Sequence, residues 1–128
     1  MANEQINKNR VFDLSQRTRD FSIRLIKFAK DLSRNIITIP IISQLVRSGT
    51  SIGANYCEAD EAQSRKDFIH KISICKKESK ETDYWFDILS VTLSNPNNDL
   101  KILQKEVKEL SLIFVAIIRK TKENNELK

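Results

Sequence analysis

The sequence predicts an all-α fold: an antiparallel, up-down-up-down four-helix bundle, with residues 1–128 forming one domain. Three observations predict it. Apolar residues recur at alternating steps of three and four in four segments, a spacing that keeps them on one face of a helix. Only two glycines and two prolines occur, too few for a β-sandwich with its frequent turns. A chain of 128 residues is also long enough to bury a core without disulfide or metal staples.

The first helix is expected over residues 13–34, with the seam Leu14, Thr18, Phe21, Leu25, Phe28 and Leu32. Asp13 is the expected N-cap, since its carboxylate can accept from the unpaired N–H groups of a first turn. Residues 35–42 hold Pro40 and several β-branched side chains and read as the first connection. Pro40 or Ile41 then opens the second helix, over residues 41–60, because proline is tolerated in a first turn. Its seam is Ile42, Leu45, Gly49, Ile52, Tyr56 and Ala59. Ser48, Gly49, Ser51, Gly53 and Ala54 include poor helix formers. The expected compensation is close approach of a neighbouring backbone.

Ser64 should cap the third helix, residues 65–94, with Asp67 reaching back in a variant of the capping box. The seam runs Phe68, Ile72, Cys75, Ser79, Thr82, Phe86, Leu89, Leu93, and Asn95-Pro96-Asn97-Asn98 is a turn. Asp99 is the expected cap of the fourth helix, over residues 99–120, with the seam Leu100, Leu103, Val107, Leu110, Phe114, Ile117. From Thr121 the tail is polar and is expected to fray.

More apolar residues are present than one stripe per helix requires. Tyr84, Ile88 and Val91 fall opposite the seam of helix three. Residues 110–118, with Leu112 and Val115, are apolar nearly all round, and Ile23 and Ile26 fall off the seam of helix one. A helix apolar on every side is normally buried on every side. Tyr84, Ile88, Val91, Leu112 and Val115 are therefore the expected contacts of a homo-oligomer.

The formal net charge is +5. Residues 10–34 carry seven cations against three aspartates, whereas residues 43–61 carry Arg47 against Glu58, Asp60 and Glu61. Arg17, Arg24, Lys27 and Arg34 fall within an arc of about 100° at 3.6 residues per turn. Such a row suits the phosphate backbone of RNA or another nucleic acid. The alternative is a protein-interaction or scaffold module whose basic face is merely solvated. Ser51, Asn55 and Glu58 form a polar cluster on helix two, expected to fix helix packing.

Catalysis is not expected. His70 is the single histidine, so Asp67-Phe68-Ile69-His70 has no second copy with which to build a di-metal centre. Gly49 and Gly53 lie inside a helix and form no phosphate loop, and Cys57 and Cys75 make no CxxC pair. Both thiols are expected free and buried. No metal, cofactor or small-molecule substrate is implied. The first ten residues lack an apolar signal region and no run approaches a membrane span. The expected location is the cytoplasm.

Three stretches carry a family resemblance: Gln44-Leu45-Val46-Arg47-Ser48; Ser51-Ile52-Gly53-Ala54-Asn55-Tyr56-Cys57-Glu58; and Ser64-Arg65-Lys66-Asp67-Phe68-Ile69-His70-Lys71. With Glu78 to Trp85 and an acidic Glu81, the chain resembles the bacterial four helix bundle protein family. That family includes proteins encoded in intervening sequences of 23S ribosomal RNA genes, also called S23 ribosomal proteins. Ala59 departs from the glycine many members carry after the signature glutamate. The resemblance implies an antiparallel bundle and a ring-like homopentamer. It also implies a distant likeness to the accessory proteins of diversity-generating retroelements, which bind nucleic acid and reverse transcriptase with a more basic surface than +5 per chain provides.

Overall fold

The computed structural model describes residues 2–126, with side chains from 14 to 124. Four helices follow in order: α1 (Ala2–Lys30), α2 (Thr38–Asp60), α3 (Arg65–Thr92) and α4 (Asn98–Glu126). Each packs against its chain neighbours, and α1 meets α4 to close the ring, touching it less than any other adjacent pair touches. The registers are antiparallel. Arg17 meets Glu106 and Glu109, Ser48 meets Thr82, and Asp83 meets Gln104 and Lys108. The expected four-helix bundle is the observed fold, and no strand occurs among the described residues.

The helix limits differ from the expected ones for local reasons. α1 passes through Asp13 to Ala2, so Asp13 is not an N-cap, and its side chain lies outside the described ones. No proline or glycine interrupts residues 2–12 to stop the helix there. At the other end α1 stops at Lys30, four residues early. The Asp31 and Leu32 N–H groups turn back to the Phe28 and Ala29 carbonyls in i→i−3 bonds, the tightening common in a last turn. Leu32 still packs against the core from beyond the helix.

α2 begins three residues earlier than expected. Asn35 Oδ1 accepts from the Thr38 N–H at 2.9 Å, and the Asn35 N–H donates to Thr38 Oγ1 at 2.9 Å. This reciprocal pair does the work of a capping box. Pro40 sits in the first turn, where its missing N–H is harmless. Ser64 caps α3 as expected, accepting from the Asp67 N–H at 3.0 Å. α4 is capped by Asn97, which accepts from the Leu100 N–H at 3.0 Å, so the expected cap Asp99 lies inside the helix. The segment from Thr121 is helical to Glu126.

All four seams converge on one core. Phe21, Leu25, Leu45, Ile52, Ile72, Phe86, Leu89, Val107, Leu110 and Phe114 are fully buried, each contributing roughly 1.5–3 kcal/mol. Phe28 and Phe86 bring their ring centroids to 6.5 Å across the core. The buried Thr82 hydroxyl donates to Ser48 Oγ at 2.9 Å, tying α2 to α3. Both helix-two glycines face α1. A Cβ at Gly53 would stand 3.3 Å from the Thr18 carbonyl oxygen, the expected backbone approach. At Gly49 it would collide with Leu25 Cδ2, so that glycine admits a side chain instead.

Candidate functional site

Three outer surfaces carry the chemistry. On the α2–α3 surface, Arg47 reaches across to Glu78 and Glu81, and Trp85 Nε1 donates to Glu81 Oε2 at 3.0 Å. The indole bond first, and Arg47 with it, hold the Glu81 carboxyl below its ordinary range. Asn55 Nδ2 donates to Ser51 O and Oγ, both at 2.9 Å, within α2. Glu58 stands 3.6 Å from Lys71 of α3. Only Glu58 of that trio therefore links two helices.

On the α1–α4 surface the basic row is divided. Arg17 Nε and Nη2 donate to Glu106 at 2.8 and 2.7 Å, and Nη2 also donates to Glu109 at 2.8 Å. Two carboxylates thus answer one guanidinium, leaving no charge there for a phosphate. Arg24 and Lys27 are exposed and line a cavity of about 220 Å³ with Phe28, Asp31, Asp99 and Leu103. Arg34 lies beyond α1, its Nη1 3.4 Å from the Lys30 and Leu32 carbonyls.

The surplus apolar residues lie mainly on outer faces. Val91 is 83% exposed, Leu112 70%, Tyr84 53% and Val115 39%, while Ile88 is half-buried. A further apolar group, at the entrance to α2, was not expected. Ile36, 88% exposed, and Ile37, 61%, stand at the entrance to α2. Ile39 of α2 and Ile23 and Ile26 of α1 are also exposed. The run Ile36-Ile37-Thr38-Ile39 carried the signal, but it read as a connection.

Lysines on α3 and α4 flank one outer surface, a grouping that charge summed along the chain does not show. Lys76 of α3 and Val115, Ile118, Arg119 and Lys122 of α4 line a common cavity of about 370 Å³, which places the two stripes on one surface.

Among the described residues, no group of three or more His, Cys, Asp or Glu is placed to hold a metal. His70 is exposed. The thiols differ from each other. Cys75 is buried and its pKa is pushed up to about 12 by burial, whereas Cys57, expected buried, is exposed on α2. The smallness of Gly53, Ala54 and Ser22 around it leaves an open groove of about 230 Å³ between α1 and α2. Among the described residues, no helix is long and apolar enough to cross a membrane.

Fold and surfaces together define a small all-α bundle with exposed isoleucines on α1, α2 and their connection and exposed lysines on α3 and α4. The family model of the 23S rRNA-intervening sequence protein matches residues 10–116, and the chain belongs to that family. It is also similar to a crystal structure of a protein with unknown function from the S23 ribosomal protein family of Bacteroides thetaiotaomicron. The two are 32% identical with a TM-score of 0.72, over 81% of this chain and 96% of that one. No curated protein matches the chain.

Proposed function

We propose that this chain is a non-enzymatic bundle that assembles with copies of itself and binds RNA or another nucleic acid. One observation carries the assembly: large aliphatic side chains stand in water on α1, α2 and their connection although the core is already complete. Large exposed apolar patches are uncommon on monomers. The exposed isoleucines of α1, α2 and their connection suit a second copy better than the Tyr84–Val91 and Leu112–Val115 residues do. Leu112 and Val115 are interleaved with Lys108, Arg119 and Lys122, and Tyr84 follows Lys80 by one turn, so two such faces would repel each other. The family resemblance implies five copies.

Nucleic-acid binding is supported by the formal net charge of +5 and by unpaired cations on the outer faces. Of the expected helix-one row, Arg17 is already neutralised, and Arg24 and Lys27 stay exposed. The non-enzymatic part rests on the exposed, solitary His70 and the inert, buried Cys75.

Light scattering on the eluting protein tests the assembly. The expected mass is about five times 14.8 kDa, falling to one chain in Ile23→Asp/Ile37→Asp with helicity retained. A single-chain mass at every concentration overturns it.

A further inference from the structure

We infer that the outer face shared by α3 and α4 is the surface that takes the sugar–phosphate backbone of a nucleic acid. This inference rests on the nucleic-acid reading above and assigns it a different place from helix one. On α4, Lys101, Lys105, Lys108, Leu112, Val115, Arg119 and Lys122 follow steps of four and three, which put them within an arc of about 100°. Lys76 and Lys80 of α3 lie on the side of that helix that carries Asp83 and Asp87, which face α4. Seven cations thus face three carboxylates, Asp83, Asp87 and Glu123.

Two of those carboxylates are already occupied. Gln104 Nε2 donates to Asp83 Oδ1 at 2.8 Å and to Asp87 Oδ1 at 2.7 Å, and Lys108 stands 3.7 Å from Asp83. Lys76, Lys80, Lys101, Lys105 and Arg119 have no carboxylate within 4 Å among the described residues. By contrast, Arg17 and Arg47, the cations nearest acidic partners on the other surfaces, are each held by two glutamates. Arg24 and Lys27 of α1 are also without a carboxylate within 4 Å among the described residues, but the α3–α4 face sets its unpaired cations along one continuous stripe.

The shape of the stripe suits a repeating polyanion. From Lys101 to Lys122 it runs roughly 30 Å at 1.5 Å per residue, close to one turn of a duplex. Lysines on flexible stems bind phosphates as point charges without reading sequence. Tyr84 follows Lys80 by one turn and is 53% exposed. Its ring is steadied edge-on by Trp85, at a centroid distance of 5.0 Å, and offers a face on which an unpaired base can stack. The cavity under Lys76 and Arg119 has an aliphatic floor in Val115 and Ile118. An anionic membrane fits less well, because a helix lying in a membrane keeps its cations and its apolar residues on opposite faces. Here Leu112 and Val115 share the face with the lysines.

The test is anisotropy of a labelled single-stranded RNA of about 30 nucleotides, and of its duplex, over a salt series. The probes are the intact protein, Lys76→Gln/Lys80→Gln/Lys101→Gln/Lys105→Gln, and Arg24→Gln/Lys27→Gln as a comparison. The first variant should weaken binding about tenfold or more and reduce the slope of log K against log salt by about 3. The second should bind like the intact protein. Unchanged helicity and oligomer mass exclude misfolding as the cause. If the intact protein binds RNA and only the helix-one variant loses it, the surface assignment is overturned while the nucleic-acid reading stands. No binding by the intact protein at low salt, or a preference for anionic vesicles over RNA, overturns both.

Discussion

Arg17 and Glu106 join the two ends of the bundle. The guanidinium of α1 meets the carboxylate of α4 with two parallel hydrogen bonds, at 2.7 and 2.8 Å. It does so along the seam where neighbouring helices touch least. Paired forks of this kind are stronger and more directional than single bonds. A residue that read as a phosphate contact therefore serves to close the ring.

Arg17→Ala should destabilise the fold by about 1 kcal/mol, since the pair is partly exposed and solvent screens it. Arg17→Lys should recover less than half of that, because an ammonium cannot reproduce the fork. Urea unfolding midpoints measure both. RNA affinity should stay unchanged in each.

Gly49→Ala brings a methyl group against Leu25 Cδ2. Leu25 is fully buried, so its displacement disturbs the core. Overpacking of this kind costs about 1–3 kcal/mol, and the better helix propensity of alanine returns at most about 1. A net loss of about 1–2 kcal/mol should appear in the urea midpoint. Pairing it with Leu25→Val, which vacates the space, should restore part of the loss.

Acid should loosen the α2–α3 surface through Glu81. Its carboxyl is held below the ordinary range by Trp85 and Arg47, so the folded state binds that proton less readily than the unfolded chain does. The stabilisation is fully present above the unfolded carboxyl value of about 4.3 and is lost as the pH falls through the lower folded value. Trp85 is the only tryptophan, and its emission should shift over the same acid range. In Glu81→Gln that shift should vanish and the acid loss of stability should be shallower.

The two thiols should react in a fixed order. Cys75 is buried with a pKa pushed up to about 12, and Cys57 is exposed. Alkylation followed by peptide mass analysis should find Cys57 modified in the native protein and Cys75 only in denaturant. Native labelling of Cys75 ahead of Cys57 contradicts the burial.

Much of the fold was legible in the sequence because helices announce themselves locally. The steps of three and four from Leu14 to Phe28 and from Leu100 to Phe114 depend on the backbone period alone, and those side chains are buried. Ser64 was readable as a cap for the same reason: its partner Asp67 is three residues away. Asn35 and Asn97 were missed as caps because Pro40 and Asp99 offered competing signals of equal strength nearby.

The surfaces were less legible. Which face a charge occupies can be computed from one helix, but whether it is free depends on what the neighbouring helix presents. Arg17 and Arg24 are seven residues apart and share a face in the sequence. Only the register of α1 against α4 sets Glu106 and Glu109 beside the first and leaves the second in water.

By itself, then, the sequence determined that there are four helices and which side of each is buried, since hydrophobic spacing follows from the geometry of a single helix. Tertiary structure decided which cations are neutralised, where the Ile36–Ile39 cluster stands exposed, and that the lysines of α3 and α4 form one face. Those outcomes rest on distances between segments far apart in the chain, and Coulomb and contact energies depend on distance, not on order along the sequence.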